Sequence, residues 1–165
     1  MPEEEKGLHI RPIEEQDQSW VSKTLMERWG STRMMSRGRL HDLMRLPGFI
    51  AELGSERLGL LTYYINGAEC EVTSLDSLKE GQGIGAQLLL AVQEAAAEAD
   101  CTRLWLITTN DNTPALRFYQ KRGFQLAALY VGAVESARQT KPEIPFTGID
   151  GIPIQDEIEL ELELT

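Results

Sequence analysis

Histidine, cysteine and long apolar runs are scarce in this sequence, and each shortage excludes a class of function. The 165 residues include two histidines and two cysteines, too few for the common zinc sites or a disulfide framework. Cys70 and Cys101 form no CxxC pair, which fits buried, reduced thiols. No run approaches the roughly 20 apolar residues of a membrane helix, and residues 1–7 are acidic where a secretion signal is basic and then apolar. We therefore expect a cytoplasmic protein without a metal or a membrane anchor.

Charge disfavours a second class of partner, the nucleic acids. The net charge of −10 repels a phosphate backbone. A local excess of arginine nevertheless lies between residues 28 and 45, at Arg28, Arg33, Arg37, Arg39 and Arg45. Two interpretations of this patch are open, a solvated surface or a site for an anionic ligand.

Apolar periodicity and turn residues predict one α/β domain over residues 1–165, with a central mixed, mostly antiparallel sheet flanked by helices. Asn66-Gly67, between two β-rich runs, is typical of a tight hairpin turn. We predict strands at 8–13, 49–53, 58–65, 70–75, 103–109, 124–134 and 154–164, and helices at 14–29, 40–46, 84–99 and 114–122. The order is β-α-α-β-β-β-α-β-α-β-β.

The glycine-rich stretch 79–86 is the strongest candidate for chemistry. Gly81, Gly83 and Gly85 lack the Cβ atoms that keep a ligand away from the main chain, and a long helix begins at once. Bare N–H groups and the positive end of the helix dipole favour phosphate or pyrophosphate. A turn without a ligand is the alternative. A P-loop is excluded because no Gly-Lys-Ser/Thr follows, and a dinucleotide fold fits poorly because antiparallel hairpins precede the glycines.

Two segments together resemble the GNAT N-acetyltransferase superfamily. Residues 80–86, Glu-Gly-Gln-Gly-Ile-Gly-Ala, resemble its acyl-CoA loop, and residues 110–124 resemble its second cofactor segment. The resemblance covers about residues 8 to 135 and implies a GNAT-like fold that uses acetyl-CoA to acetylate an amine of a small molecule by direct attack. Glu80 departs from the family pattern, which has Arg or Gln there, and we expect its carboxylate to point away from the pyrophosphate.

The resemblance also assigns roles to individual residues. It implies that the cofactor is held by Leu75, Ser77, Gln82, Gly83, Ile84, Gly85, Ala86, Asn112 and Tyr119. The strands that carry Leu75 and Leu106 are expected to splay and admit the thioester. Asn112 is alternatively a helix-capping residue. Tyr119 is expected to protonate the departing thiolate, or else to be a tyrosine at the edge of the core.

Candidates on the acceptor side are less sharply defined. Glu69 and Glu71 are the candidate bases, and they share a strand face that lines either the acceptor cleft or solvent. The GNAT resemblance implies that the first two helices and the loop between them line the acceptor pocket, which places Trp29, Arg37 and Arg39 there. Arginine would hold an anionic group on the amine substrate. Residues 140–153 form a connecting loop or cover that pocket.

The last predicted strand alternates leucine or isoleucine with glutamate from Glu157 to Glu163. We expect its acidic face to lie in solvent and to discourage edge pairing. Two other functions remain open, a non-catalytic acyl-CoA-binding regulator and a protein N-acetyltransferase. The sequence leaves the length of the acyl group open, and a homodimer is one option for assembly.

Overall fold

The computed structural model describes residues 7–165, so the acidic segment 1–6 that bears on export lies outside the described residues. Within this range the chain forms nine strands and four α-helices. The strands are β1 His9–Pro12, β2 Arg33–Ser36, β3 Arg39–Asp42, β4 Gly48–Leu53, β5 Glu56–Asn66, β6 Glu69–Ser77, β7 Arg103–Thr109, β8 Gln125–Tyr130 and β9 Glu157–Glu163. The helices are α1 Gln18–Trp29, α2 Ile84–Glu98, α3 Thr113–Lys121 and α4 Ala133–Thr140.

Seven strands form one sheet in the order β1-β4-β5-β6-β7-β9-β8. Every neighbouring pair is antiparallel except β6 and β7, so the predicted mixed, mostly antiparallel sheet is confirmed. Helix α2 packs its apolar stripe on one face, with Leu88 and Val92 fully buried. Helix α1 covers part of the other face through Val21 and Leu25. No helix of residues 7–165 has the length and apolar character to cross a bilayer.

A β-bulge in β6 opens the sheet at its centre. The register between β5 and β6 shifts between Thr62 and Tyr63, which leaves Thr73 as the extra residue of β6. A bulge bends its strand and increases the local twist. Pairing of β6 with β7 ends at Val72 and Leu106, although both strands continue beyond these residues. The splayed strands expected from the GNAT resemblance are therefore present.

The predicted helix over residues 40–46 is wrong. The chain instead forms a β-hairpin, β2–β3, followed by one turn of 3-10 helix at Leu43–Arg45. Arg37 and Gly38 make the turn with φ of 49° and 76°, the positive values that a two-residue hairpin turn requires. Glycine adopts such angles at little cost, but for arginine they are uncommon.

The C-terminal third also differs from prediction. The strand predicted at 124–134 ends at Tyr130, and Gly132, with φ of 74°, precedes the unpredicted helix α4. The last strand begins at Glu157 rather than 154. Strand β9 lies between β7 and β8 instead of at an edge, so its glutamates have no edge to protect.

Candidate active site

The glycine-rich loop leads directly into helix α2 and leaves its first amides accessible. Gly81 and Gly83 have φ of 75° and 70°, and a Cβ at either would meet nothing within 4 Å. Gly83 is the residue that caps α2, and no side chain hydrogen-bonds to the cap. The N–H groups of the first turn have no partner within a helix. They therefore provide donors for a pyrophosphate at a point that a ligand can approach.

Gly85 differs from the other two glycines of the loop. A Cβ there would lie 2.9 Å from the ring of Phe118 on α3. This glycine allows close packing of α2 against α3, so its small size has a structural reason. Glu80 is exposed, in agreement with the expectation that its carboxylate points into solvent.

The gap between β6 and β7 lies next to this loop. Leu75 packs against the core from the β6 side, and its main chain pairs with Leu61 of β5. Ser77 ends the strand, and its hydroxyl donates to the carbonyl of Lys79 at 3.1 Å. The edge of β6 that faces β7 has no strand partner beyond Val72. An extended ligand arm can add to such an edge as an extra strand does.

Tyr119 lies on α3 and is 7% exposed. Its ring packs edge-on against Phe118 and Phe124, with centroids 5.1 and 5.4 Å away. Burial raises the pKa of its hydroxyl, and the negative charge of Asp76 raises it further. The hydroxyl therefore stays protonated at neutral pH, the state that a proton donor needs.

Trp29 does not line the cleft that Arg37 and Arg39 line. Its indole Nε1 donates to both carboxylate oxygens of Asp76 at 3.0 Å, near the far end of β6. Asp76 is 2% exposed, and burial raises its pKa. The prediction that Trp29 lies with the two arginines is therefore wrong, because α1 ends over the opposite end of β6.

Asn112 caps helix α3. Its Oδ1 accepts a hydrogen bond from the Ala115 amide at 3.3 Å, and Pro114 follows within the first turn. The capping alternative thus accounts for this side chain.

A cleft of about 260 Å³ lies where the hairpin β2–β3 covers β5, β6 and β7. Glu69 and Glu71 both line it, so their shared face is the cleft. Glu71 is 4% exposed. Its Oε2 accepts from the Ser36 hydroxyl at 2.6 Å, and its Oε1 lies 3.2 Å from Nε2 of His41. Glu69 is half exposed and pairs with Arg103 at 3.5 Å.

The two arginines of the hairpin have different partners. Arg37 pairs with Glu159 at 3.4 Å and lies over the Trp105 and Tyr130 rings at 5.9 and 5.1 Å. Arg39 donates to the Tyr64 hydroxyl at 2.7 Å and forms no ion pair within residues 7–165. The charge of Arg37 is therefore balanced by a carboxylate, whereas that of Arg39 is available to an anion.

Strand β9 turns its acidic face towards the hairpin. Glu163 is exposed as expected, but Glu157 and Glu159 are 4% and 5% exposed, so the expectation of a solvent-facing acidic strand is wrong for these two residues. The hairpin tip covers them, and the Arg37 amide donates to Oε2 of Glu157 at 3.2 Å. Among residues 7–165 no three side chains of the metal-ligating types are grouped as an ion site.

Sequence reasoning missed Ser36, His41, Tyr64 and Trp105 around Glu71. All four come into place through the hairpin or through cross-strand register, in which Tyr64 and Trp105 flank Glu71 on β5 and β7. The turn residues Arg37-Gly38 carry no strong hairpin signal, since Asn-Gly and Asp-Gly are the typical pairs. No local pattern therefore predicted these neighbours.

Comparison with known proteins agrees with the fold and with the glycine loop. The model of the acetyltransferase (GNAT) family matches residues 14–124. The chain belongs to the GNAT acetyltransferase family. The match covers α1, the gap between β6 and β7, the glycine loop and Tyr119.

Individual proteins of known sequence or structure are similar to most of the chain. The uncharacterized protein YdhI of Bacillus subtilis is 45% identical over 150 residues, which cover 90% of this chain and 94% of YdhI. The IAA acetyltransferase from Bacillus cereus has a TM-score of 0.75 at 21% identity, covering 96% of this chain and all of that one. A GNAT family acetyltransferase from Elizabethkingia anophelis, solved with acetyl-CoA bound, has a TM-score of 0.69 at 22% identity, with 96% and 99% covered.

Proposed function

We propose that this GNAT protein transfers an acetyl group from acetyl-CoA to an amine of a small-molecule acceptor by direct attack. The observation that carries the proposal is the position of Glu71. Glu71 lines a cleft, and along β6 it directly precedes Val72, which with Leu106 forms the last pair of β6 with β7. A base in a cleft next to an opening in the sheet suits attack on a carbonyl held in that opening.

Two parts of the main chain suit two parts of CoA. The pyrophosphate is assigned to the main-chain N–H groups of Gln82, Gly83, Ile84, Gly85 and Ala86, and the pantetheine arm to the free edge of β6 at Leu75 and Ser77. Asn112 supports this site by capping α3, which carries Tyr119. When bound, acetyl-CoA supplies the electrophilic thioester carbonyl.

Three proton transfers complete the reaction. Most alkyl amines are protonated at pH 7 and must lose a proton before attack. Glu71 accepts this proton, directly or through one water, and passes it to solvent. It then accepts the second proton that the nitrogen loses once the C–N bond has formed. Tyr119 gives its hydroxyl proton to the thiolate sulfur as the C–S bond breaks. Each turnover therefore yields one acetamide, one free thiol and one proton released to solvent, after Glu71 is deprotonated and Tyr119 reprotonated.

The acceptor cleft favours a compact amine. The hairpin tip closes over it, and its lining includes Arg39 and Glu71 within one cavity. An ammonium beside Glu71 and an anionic group on Arg39 would both find an opposite charge. The proposal therefore includes an anionic group on the acceptor, with Arg39 rather than Arg37 as its partner.

An acetyl-CoA-dependent screen of small amines, read by release of CoA thiol, tests the function. We expect release with at least one amine class and a loss of about 100-fold for Tyr119→Phe. Tyr63→Phe, which also removes a hydroxyl from a tyrosine of the core, is the control and should retain activity. CoA binding without thiol release across the panel would favour a non-catalytic regulator instead. Preferential acetylation of a protein over every amine would favour a protein acetyltransferase.

A further inference from the structure

A second cavity lies across the hairpin tip from the Glu71 cleft. It has a volume of about 410 Å³ and is bounded by the hairpin, β8, β9 and α4. Met35, Ala133 and Ala137 give it apolar walls, and Tyr130 and Glu157 supply polar atoms. Arg37 lines both cavities, so this side chain is the partition between them.

Glu157 is the buried charge of this second cavity. Only 4% of the residue is exposed, and its Oε2 accepts from the Arg37 amide. None of residues 7–165 donates a hydrogen bond to its Oε1, and this atom is not fully sealed from solvent. Because Glu157 lines the cavity, its Oε1 is open to a ligand there. Burial of a carboxylate costs free energy, and a cation that binds beside it offsets part of that cost.

The charges around Glu157 decide which ligand suits it. Arg37 is the only guanidinium that lines the cavity, and it is already paired with Glu159. Glu157 itself forms no ion pair within residues 7–165. Burial raises the pKa of Glu157 and the charge of Glu71 raises it further, whereas the hydrogen bond from the Arg37 amide and the charge of Arg37 lower it. A positively charged group in the cavity would oppose the effects of burial and of Glu71.

The two cavities adjoin at Arg37. Its side chain is 48% exposed, and its guanidinium lies over the faces of Trp105 and Tyr130. Aromatic faces of this kind also accept alkylammonium groups. An aliphatic chain that starts beside Glu71 can therefore reach Glu157 along these rings when the exposed Arg37 side chain moves aside.

We propose that the second cavity is the distal part of the acceptor site and takes the far amine of a diamine, or of an amino acid with a second amine. The reacting nitrogen lies at Glu71, the aliphatic chain passes Arg37, and the distal ammonium pairs with Glu157. This inference rests on the proposed function, because it assigns the Glu71 cleft to the reacting amine.

Matched acceptors test the proposal. The probes are diamines from diaminopropane to diaminohexane, each compared with the monoamine of the same chain length, in thiol-release kinetics and in calorimetry with CoA present. We expect at least one diamine to exceed its monoamine by about tenfold in kcat/KM, which is the contribution of a charge-assisted hydrogen bond. Glu157→Gln keeps an acceptor for the Arg37 amide and removes the charge, so it should abolish that preference. Glu163→Gln, on the exposed end of β9, is the control.

A second variant guards against a simple folding defect. Ser136 lines the cavity from the exposed face of α4, so Ser136→Phe should fill the cavity and reduce the same preference. Equal binding and turnover of diamines and monoamines by the wild type would overturn the proposal, as would an unchanged preference in Glu157→Gln. If diamines bind through Glu157 but no amine is acetylated, the proposed function fails and the cation site stands. If monoamines are acetylated as well as diamines, only this inference fails.

Discussion

The proposed cofactor side of this protein is built from main chain, whereas the proposed acceptor side is built from side chains. The glycine loop, the uncapped start of α2 and the free edge of β6 present N–H and C=O groups, and side chains contribute little there. Across the gap, the Glu71 cleft depends on Ser36, His41 and Arg39 from a hairpin that contacts the sheet through hydrogen bonds. A substitution on the acceptor side should therefore change chemistry and specificity, whereas only a backbone change should strongly affect CoA binding.

The largest effect is expected at Glu71. Replacing it with glutamine keeps the shape but removes the proton acceptor, so we predict a fall in kcat/KM of about 100-fold to 1,000-fold. Calorimetry should give an unchanged Kd for CoA, since the change lies on the acceptor side. Glu69→Gln is the matched control, because Glu69 lines the same cleft but is half exposed and paired with Arg103; its loss should stay below about tenfold. Equal losses for the two variants would refute the role given to Glu71.

Arg39 is expected to distinguish acceptors that carry an anionic group from those that do not. Arg39→Ala should raise KM about tenfold for an amine that carries a carboxylate, and much less for one that does not, because a charge-assisted hydrogen bond is lost. Steady-state kinetics on such a pair of acceptors measures the effect. Arg45→Ala provides the control, since Arg45 is 86% exposed and pairs locally with Asp42. A KM that rises equally for both acceptors would argue against an anion at Arg39.

Gly83 tests the cofactor side through its backbone. Alanine at φ of 70° costs about 1–2 kcal/mol, and relaxation of that strain would turn the first amides of α2 away from the pyrophosphate. We predict a rise of about fivefold to tenfold in the Kd for CoA, measured by calorimetry. Gly54→Ala carries the same backbone strain in the open β4–β5 turn and should leave the Kd unchanged. Normal CoA affinity in the Gly83→Ala protein would show that the glycine loop does not hold the cofactor.

Glu80 should give the smallest effect. Glu80→Gln removes a carboxylate from the exposed glycine loop, so CoA affinity should improve by about twofold at low salt. The gain should vanish at high ionic strength, because exposed charges are screened. Glu98→Gln, at the other end of α2, controls for net charge. A loss of affinity would mean that Glu80 has a positive role in binding.

The same contrast separates what the sequence could predict from what it could not. The glycine loop, the start of α2 at Ile84 and the strands around Asn66-Gly67 are local features, and their predictions agree with the structure. The hairpin β2–β3 is different, because its turn places Arg37 at a positive φ that few non-glycine residues adopt. Without that hairpin, neither the partners of Glu71 nor the separation of Trp29 from Arg39 could be foreseen.

Strand β9 illustrates a further limit. The alternation of glutamate and leucine correctly predicts a strand with two different faces. It does not reveal that the glutamate face is covered at Glu157 and Glu159, because their burial depends on the hairpin and on α4 packing over a strand distant in sequence. The bulge at Thr73 likewise depends on the pairing of β5 with β6. The Thr62 hydroxyl forms hydrogen bonds with the hydroxyls of both Thr73 and Ser74.

Direct transfer from acetyl-CoA to an amine beside Glu71 requires no acetylated intermediate on the protein. Burial raises the pKa of the Cys70 thiol to about 12 and also raises that of Cys101, so neither thiol is a ready nucleophile for an acetylated intermediate. The most direct measurement is mass spectrometry of protein and amine after incubation with acetyl-CoA. We predict an unmodified protein mass and one acetylated amine for each thiol released, with no release when the amine is omitted. Direct transfer would be contradicted by an acetylated protein that forms without amine and then transfers its acetyl group to an added amine.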